Sequence, residues 1–220
     1  MSNQNENYFL NSGDFNCVFL MPNQQIWRVS KLKEYPEDSD GPVNPYEGIY
    51  KGLFNEAKIT TVLRKIDPMQ SMFVSYNSYE ITTCKQVQHM LGKEYSGFKN
   101  ALETCKQRTS SFKTCTSHEP FKMVISKTSK ILVPVQFKDK HDMKDKLHVL
   151  KKNIKFLHKH HIVHGDLHVG NIMMDPRNNN NLVIIDWEKA YFLSKVTDAY
   201  KAMDLEVLKD LKEEYGEEFD

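Results

Sequence analysis

The chain has 220 residues, a formal net charge of +1 at pH 7 and 40% hydrophobic residues. That is enough apolar material for one domain or two small lobes, and so balanced a charge excludes a global field drawing the chain to DNA or to a membrane surface. No apolar run approaches the ~20 residues that span a bilayer, and the amino terminus "MSNQNENYF" lacks the basic and apolar regions of a secretory signal.

In chain order, "NSGDFNCVFLM" and "QQIWRVSKL" predict two strands joined by a turn at Pro22-Asn23. The stretch 34–48, "EYPEDSDGPVNPYEG", is dense in Pro, Gly, Asp and Ser and predicts an exposed loop. Leu53, Ala57, Ile59, Leu63 and Ile66 then recur at roughly helical intervals, predicting a helix that ends before Asp67-Pro68. "MFVSYNSYEIT", "FKMVISK" and "ILVPVQF" are strand-like, whereas 84–118 is polar and lysine-rich. The region of about 69–120 therefore counts as an insertion. Met143, Leu147, Leu150, Ile154 and Leu157 mark a strongly amphipathic helix. "NIMMD" and "LVIID", separated by "PRNNNN", predict a β-hairpin. A last helix is expected to carry Tyr200, Met203, Val207, Leu208 and Leu211 on one face. Cys17, Cys84, Cys105 and Cys115 show no CxxC spacing, so neither a zinc site nor a disulfide framework is expected. The expectation is a soluble, intracellular protein with reduced thiols.

The stretch "HIVHGDLHVGNIMMD" (161–175) carries the chemistry. Asp166 lies on the loop after the long helix, Asn171 starts the first hairpin strand and Asp186 ends the second. A hairpin folds those ends together, so three oxygen-bearing side chains can converge. Oxygen ligands with little else suit Mg²⁺, which keeps waters and phosphate oxygens in its shell. A remaining carboxylate can orient an attacking hydroxyl, which is the layout of phosphoryl transfer. His158, His160, His161, His164 and His168 lack cysteine partners, and the first three are expected to form a solvated helix terminus.

"HGDLHVGN" followed by "IIDW" resembles the kinase-like phosphotransferase superfamily, and its HGD form is similar to the atypical branch. The resemblance implies an α+β, bilobal kinase-like fold, with an amino-terminal lobe over 1–126 and a short, mostly helical lobe over 127–220. It implies ATP between the lobes, Asp166 as catalytic aspartate, and Mg²⁺ on Asn171 and Asp186. It further implies a phosphate-covering glycine at Gly13, a strand cation at Arg28, a helix glutamate at Glu56 and a loop brace at Asp204. His168 stands where protein kinases often carry a lysine near the transferred phosphate. Lys31 competes with Arg28 for the cation's place, and Glu56 taken alone would be an ordinary helix-surface glutamate. Only 34 residues follow Asp186. That is short for an antibiotic or choline phosphotransferase and is similar to the abbreviated end of the KEOPS kinase subunit; compact kinases of large DNA viruses share the Asn- and Lys-rich composition.

The leading expectation is transfer of the ATP γ-phosphate to a protein Ser or Thr. The alternatives are a pseudokinase that binds a partner protein and an ATPase subunit of a partner complex. The lysine-rich stretch 138–152 is balanced by acids and reads as a solvated face, with an acidic or RNA-associated partner as the alternative, and neither DNA nor membrane is expected as a partner.

Overall fold

The computed structural model describes residues 9–12, 16–21, 23–31, 45–83, 85–87, 89, 107 and 122–216. The chain divides into two compact units, 1–50 with 76–129 and 51–75 with 130–220. The class is α+β, as expected from the sequence, with an antiparallel sheet in the first unit and helices packed on small hairpins in the second.

In the first unit, β1 (Phe9–Ser12), β2 (Asn16–Leu20), β3 (Ile26–Lys31), β4 (Ser78–Thr83) and β5 (Lys122–Thr128) form one sheet in the order β1-β2-β3-β5-β4. The single strand expected over 11–21 is thus two antiparallel strands, broken around residues 13–15, which lie outside the described residues. Register places Cys17 opposite Val29 and Val29 opposite Ile125, and all three are buried. This row across three strands is the apolar seam of the sheet. Strand alternation puts Phe19 and Met21 on the same face as Cys17, and both are buried. Cys17 is disulfide-bonded, which corrects the expectation of reduced thiols at this position; the other three cysteines lie outside the described residues. β4 falls inside the stretch expected as an insertion, yet it pairs with β5 along its whole length. Beyond Thr83 that stretch lies almost wholly outside the described residues.

The helix expected over 52–66 starts earlier, as α1 (Pro45–Ile66), inside the stretch expected as loop. Proline suits a first helical position because its φ is already helical and its missing N–H would have no partner there. After α1, the Asp67 carboxylate accepts from Ser71 N, Met72 N and Phe73 N at 3.0, 2.7 and 3.0 Å, turning the chain sharply.

In the second unit, α2 (Lys140–Lys159) is capped by Asp139, whose side chain accepts from Asp142 N. It buries the predicted Met143, Leu147, Leu150, Ile154 and Leu157. They pack with Ile172, Met174, Leu182 and Ile184 of the predicted hairpin, β7 (Ile172–Asp175) and β8 (Asn181–Ile184). "ILVPVQF" contributes only an isolated bridge, Val133 to Met174. Pro134 has no N–H to extend the ladder. Two short strands, β6 (Ile162–Val163) and β9 (Tyr191–Phe192), pair antiparallel on either side of the hairpin in sequence.

The expected last helix is two helices, α3 (Asp198–Leu205) and α4 (Val207–Gly216), parted at Glu206. Its inward face is Asp204, Val207 and Leu211, whereas Met203 is exposed. Of the expected face, Val207 and Leu211 are buried and Leu208 packs against the core, and Met203 alone is replaced by its neighbour Asp204, the residue expected to brace the loop. Among the described residues no helix is long and apolar enough to cross a membrane.

Candidate active site

The loop between β6 and β7 is held from below by one buried carboxylate. Asp204, with no exposed surface, accepts from His158 Nε2 at 2.8 Å, from His164 N at 3.0 Å and from Gly165 N at 3.2 Å. A carboxylate in the interior is costly unless donors replace its lost water. Here three do, so α3 is tied to the loop and to the end of α2. The bracing role anticipated for Asp204 is what the structure has. His158 is buried in that pair and not part of a solvated helix terminus.

Gly165 takes φ +76°, and a β-carbon there would stand 2.7 Å from Lys189 O and 2.9 Å from Tyr191 Cε1. Only glycine permits both the left-handed turn and the close approach of the β9 segment. His164 is fully buried and donates from Nε2 to Ile185 O at 2.9 Å. A carbonyl only accepts, so that nitrogen carries the proton and Nδ1, which makes no hydrogen bond, does not. Burial holds the imidazole below its ordinary range despite the fields of Asp204, Asp186 and Asp166, and the ring is neutral. It lies against the buried Trp187, whose Nε1 donates to Val74 O at 2.7 Å.

The candidate residues Asp166, Asn171 and Asp186 are linked through the backbone. Asn171 Nδ2 donates to Asp166 O at 2.8 Å, and Ile185 N donates to Asn171 O at 3.0 Å. The hairpin therefore brings the start of β7 beside the residue preceding Asp186, as the sequence implied. Asn171 is buried, and since its amide nitrogen is committed to Asp166 O, its amide oxygen is the group left for a ligand. Asp186 takes φ +65°, a left-handed conformation that aspartate tolerates better than most side chains and that costs about 1 kcal/mol or more. Such strain persists only where its surroundings enforce it. An amide oxygen and a carboxylate are hard donors, and this pair fits a Mg²⁺ that draws its remaining ligands from phosphate and water. Among the described residues no group of three or more His, Cys, Asp or Glu side chains forms a metal cage.

Asp166 is half-open to solvent and makes one ion pair, to Lys189 Nζ at 2.9 Å. The hydrogen bond to Asp166 is the main cause that raises the Lys189 pKa, so the ammonium is firmly charged. Nothing in "DWEKAYF" announces this lysine. It is brought to Asp166 by the β6–β9 pairing, a two-residue ladder too short to leave a periodic signal. His168 is exposed, and its Nδ1 accepts from Gly170 N at 3.1 Å, capping the short 3-10 turn Val169–Asn171.

Arg28 is on β3 in the first unit, with its guanidinium carbon 4.6 Å from the Tyr76 ring centroid. Glu56 is on α1 in the second unit and is 2% exposed, so it is no surface glutamate. Gly13 lies outside the described residues.

Comparison with known families agrees with this geometry. Residues 127–217 match the model of the phosphotransferase enzyme family. That span takes in α2, the loop, the hairpin and Asp204. A search of curated proteins finds no match to the chain.

Proposed function

We propose that the chain is a Mg²⁺-dependent phosphotransferase that moves the γ-phosphate of ATP to a serine or threonine hydroxyl of a protein. One observation carries the reading: Asp166, Asn171 and the end of β8 are locked together by hydrogen bonds on a loop braced by a buried carboxylate. These bonds fix Asn171 against the backbone of Asp166 and of the residue before Asp186, which supports a reading in which the three side chains serve one site. The family match over the same residues supports the phosphotransferase class.

In this reaction Asn171 Oδ1 and Asp186 would hold the metal ion, which would supply positive charge to neutralise the phosphate oxygens. Asp166 accepts a hydrogen bond from the acceptor hydroxyl, orients its oxygen toward the γ-phosphorus and takes its proton. The new bond joins that oxygen to phosphorus, and ADP leaves. His164, neutral and buried, keeps the loop in register through Ile185 and carries no proton in the reaction. The nucleotide-binding roles given to Gly13, Arg28, Glu56 and His168 rest on the superfamily resemblance.

Incubation with γ-labelled ATP, Mg²⁺ and a Ser/Thr peptide library tests the proposal. Label should pass to peptide with the wild type and fall by about 10²- to 10⁴-fold in Asp166→Asn, the usual range for a lost general base. Equal labelling by folded wild type and variant would sink the assignment.

A further inference from the structure

The proposed reaction requires a hydroxyl at Asp166, where Lys189 Nζ already stands 2.9 Å from one carboxylate oxygen. We propose that Lys189 is a specificity-determining residue that selects a seryl or threonyl acceptor flanked by acidic residues. The inference rests on the phosphotransfer reading above and deepens it.

Two features of Lys189 carry it. Its side chain is 64% exposed and its partner's 39%, and an ion pair that open to solvent is weak enough for an incoming hydroxyl to displace. Its backbone, by contrast, is fixed. Lys189 O sits 2.7 Å from where a β-carbon of Gly165 would be, Ala190 N donates to Trp187 O, and Asn55 Nδ2 donates to Ala190 O. Val163 pairs with Tyr191 two residues on. The displaced ammonium therefore stays within one side chain's reach of Asp166 and cannot swing away with a mobile loop.

Charge bookkeeping then sets the preference. Lys189 lies in the fields of Asp166, Glu188 and Asp186. In the loaded state the acceptor hydroxyl would take the ammonium's place on Asp166 and the metal ion would screen Asp186, which leaves Lys189 as an exposed cation beside the acceptor. An acidic group beside the acceptor hydroxyl finds that cation within reach, and a basic group meets like-charge repulsion from it.

The test uses two peptides with one Ser-containing core, flanked either by two aspartates or by two lysines. Their kcat and KM would be measured with the full chain and Mg·ATP. Their binding to the protein loaded with Mg²⁺ and a non-hydrolysable ATP analogue would be followed by fluorescence anisotropy. The wild type should favour the acidic peptide by about fivefold or more, mainly in KM, the ratio expected of one partly exposed charge pair. The ratio should shrink with added salt. Lys189→Arg should keep it, Lys189→Gln should bring it near one, and Lys189→Glu should invert it. Wild type indifferent to flanking charge in both turnover and binding would overturn the inference, as would a ratio unchanged in Lys189→Gln. Loss of the Mg·ATP response itself in the wild type would instead fell the phosphotransfer reading, so the two failures are distinguishable.

Discussion

Two aspartates, Asp166 and Asp204, define the two sides of the same loop, and they are built in opposite ways. Asp204 has no exposed surface and takes three hydrogen bonds from buried donors. Asp166 is partly open to water and is met by one exposed lysine. The first arrangement is costly to assemble and costly to break, because removing the carboxylate orphans three donors. The second costs little either way. A site that must hold still on its underside and exchange partners on its open side needs both kinds.

The comparison is sharpest under mutation. Asp204→Ala leaves His158 Nε2, His164 N and Gly165 N without their acceptor and should lower the unfolding free energy by about 3–5 kcal/mol. Urea denaturation reads this directly, and a loss below about 1 kcal/mol would mean that the loop is held by something else. Gly165→Ala comes next. It forces an alanine into φ +76° with its β-carbon against Lys189 O and the Tyr191 ring. About 2–3 kcal/mol is expected from the left-handed backbone and the clash together. A neutral result would show that the β9 segment gives way easily.

Acidification probes the buried side without a change at Asp204. His164 has its pKa depressed by burial, so the native state holds it neutral while the unfolded chain protonates it normally. The unfolded state then binds more protons below about pH 6.5, and stability falls as pH drops through that value toward the depressed native one. The slope from this residue approaches about 1.4 kcal/mol per pH unit. Comparing urea midpoints at several pH values in wild type and His164→Gln checks it, since the variant should lose that part of the slope. The smallest effect is expected on the open side. Lys189→Ala should change stability by no more than about 0.5–1 kcal/mol, and a larger loss would contradict the picture of an exchangeable pair.

Much of this arrangement was legible in the residues, for physical reasons. The apolar spacing from Met143 to Leu157 marks a helix, and the Pro-Arg-Asn turn between two apolar runs marks a hairpin, which is why the sequence puts the start of β7 beside the residue before Asp186. Asp204 was legible through the superfamily resemblance, although the apolar pattern placed its neighbour Met203 on the inward face. Other features depended on contacts far apart in sequence. His158 sits in a run of basic residues that looks solvated, and only the packing of α3 shows it buried. Lys189 reaches Asp166 through a ladder of two residues. The start of α1 at Pro45 was hidden by turn-forming neighbours, and the disulfide at Cys17 has no spacing signature.

The central claim is that Asn171 and Asp186, on the braced loop and hairpin, form the metal end of a nucleotide site. A thermal-shift titration of the full chain with ATP, with and without Mg²⁺, beside Asp186→Ala, tests it most directly. A ligand at 100 times its dissociation constant adds about 2.7 kcal/mol to the native state. The account predicts a Mg²⁺-dependent rise in Tm for the wild type and none for the variant. A folded wild-type protein whose Tm ignores Mg·ATP, or a variant that responds as the wild type does, would contradict it.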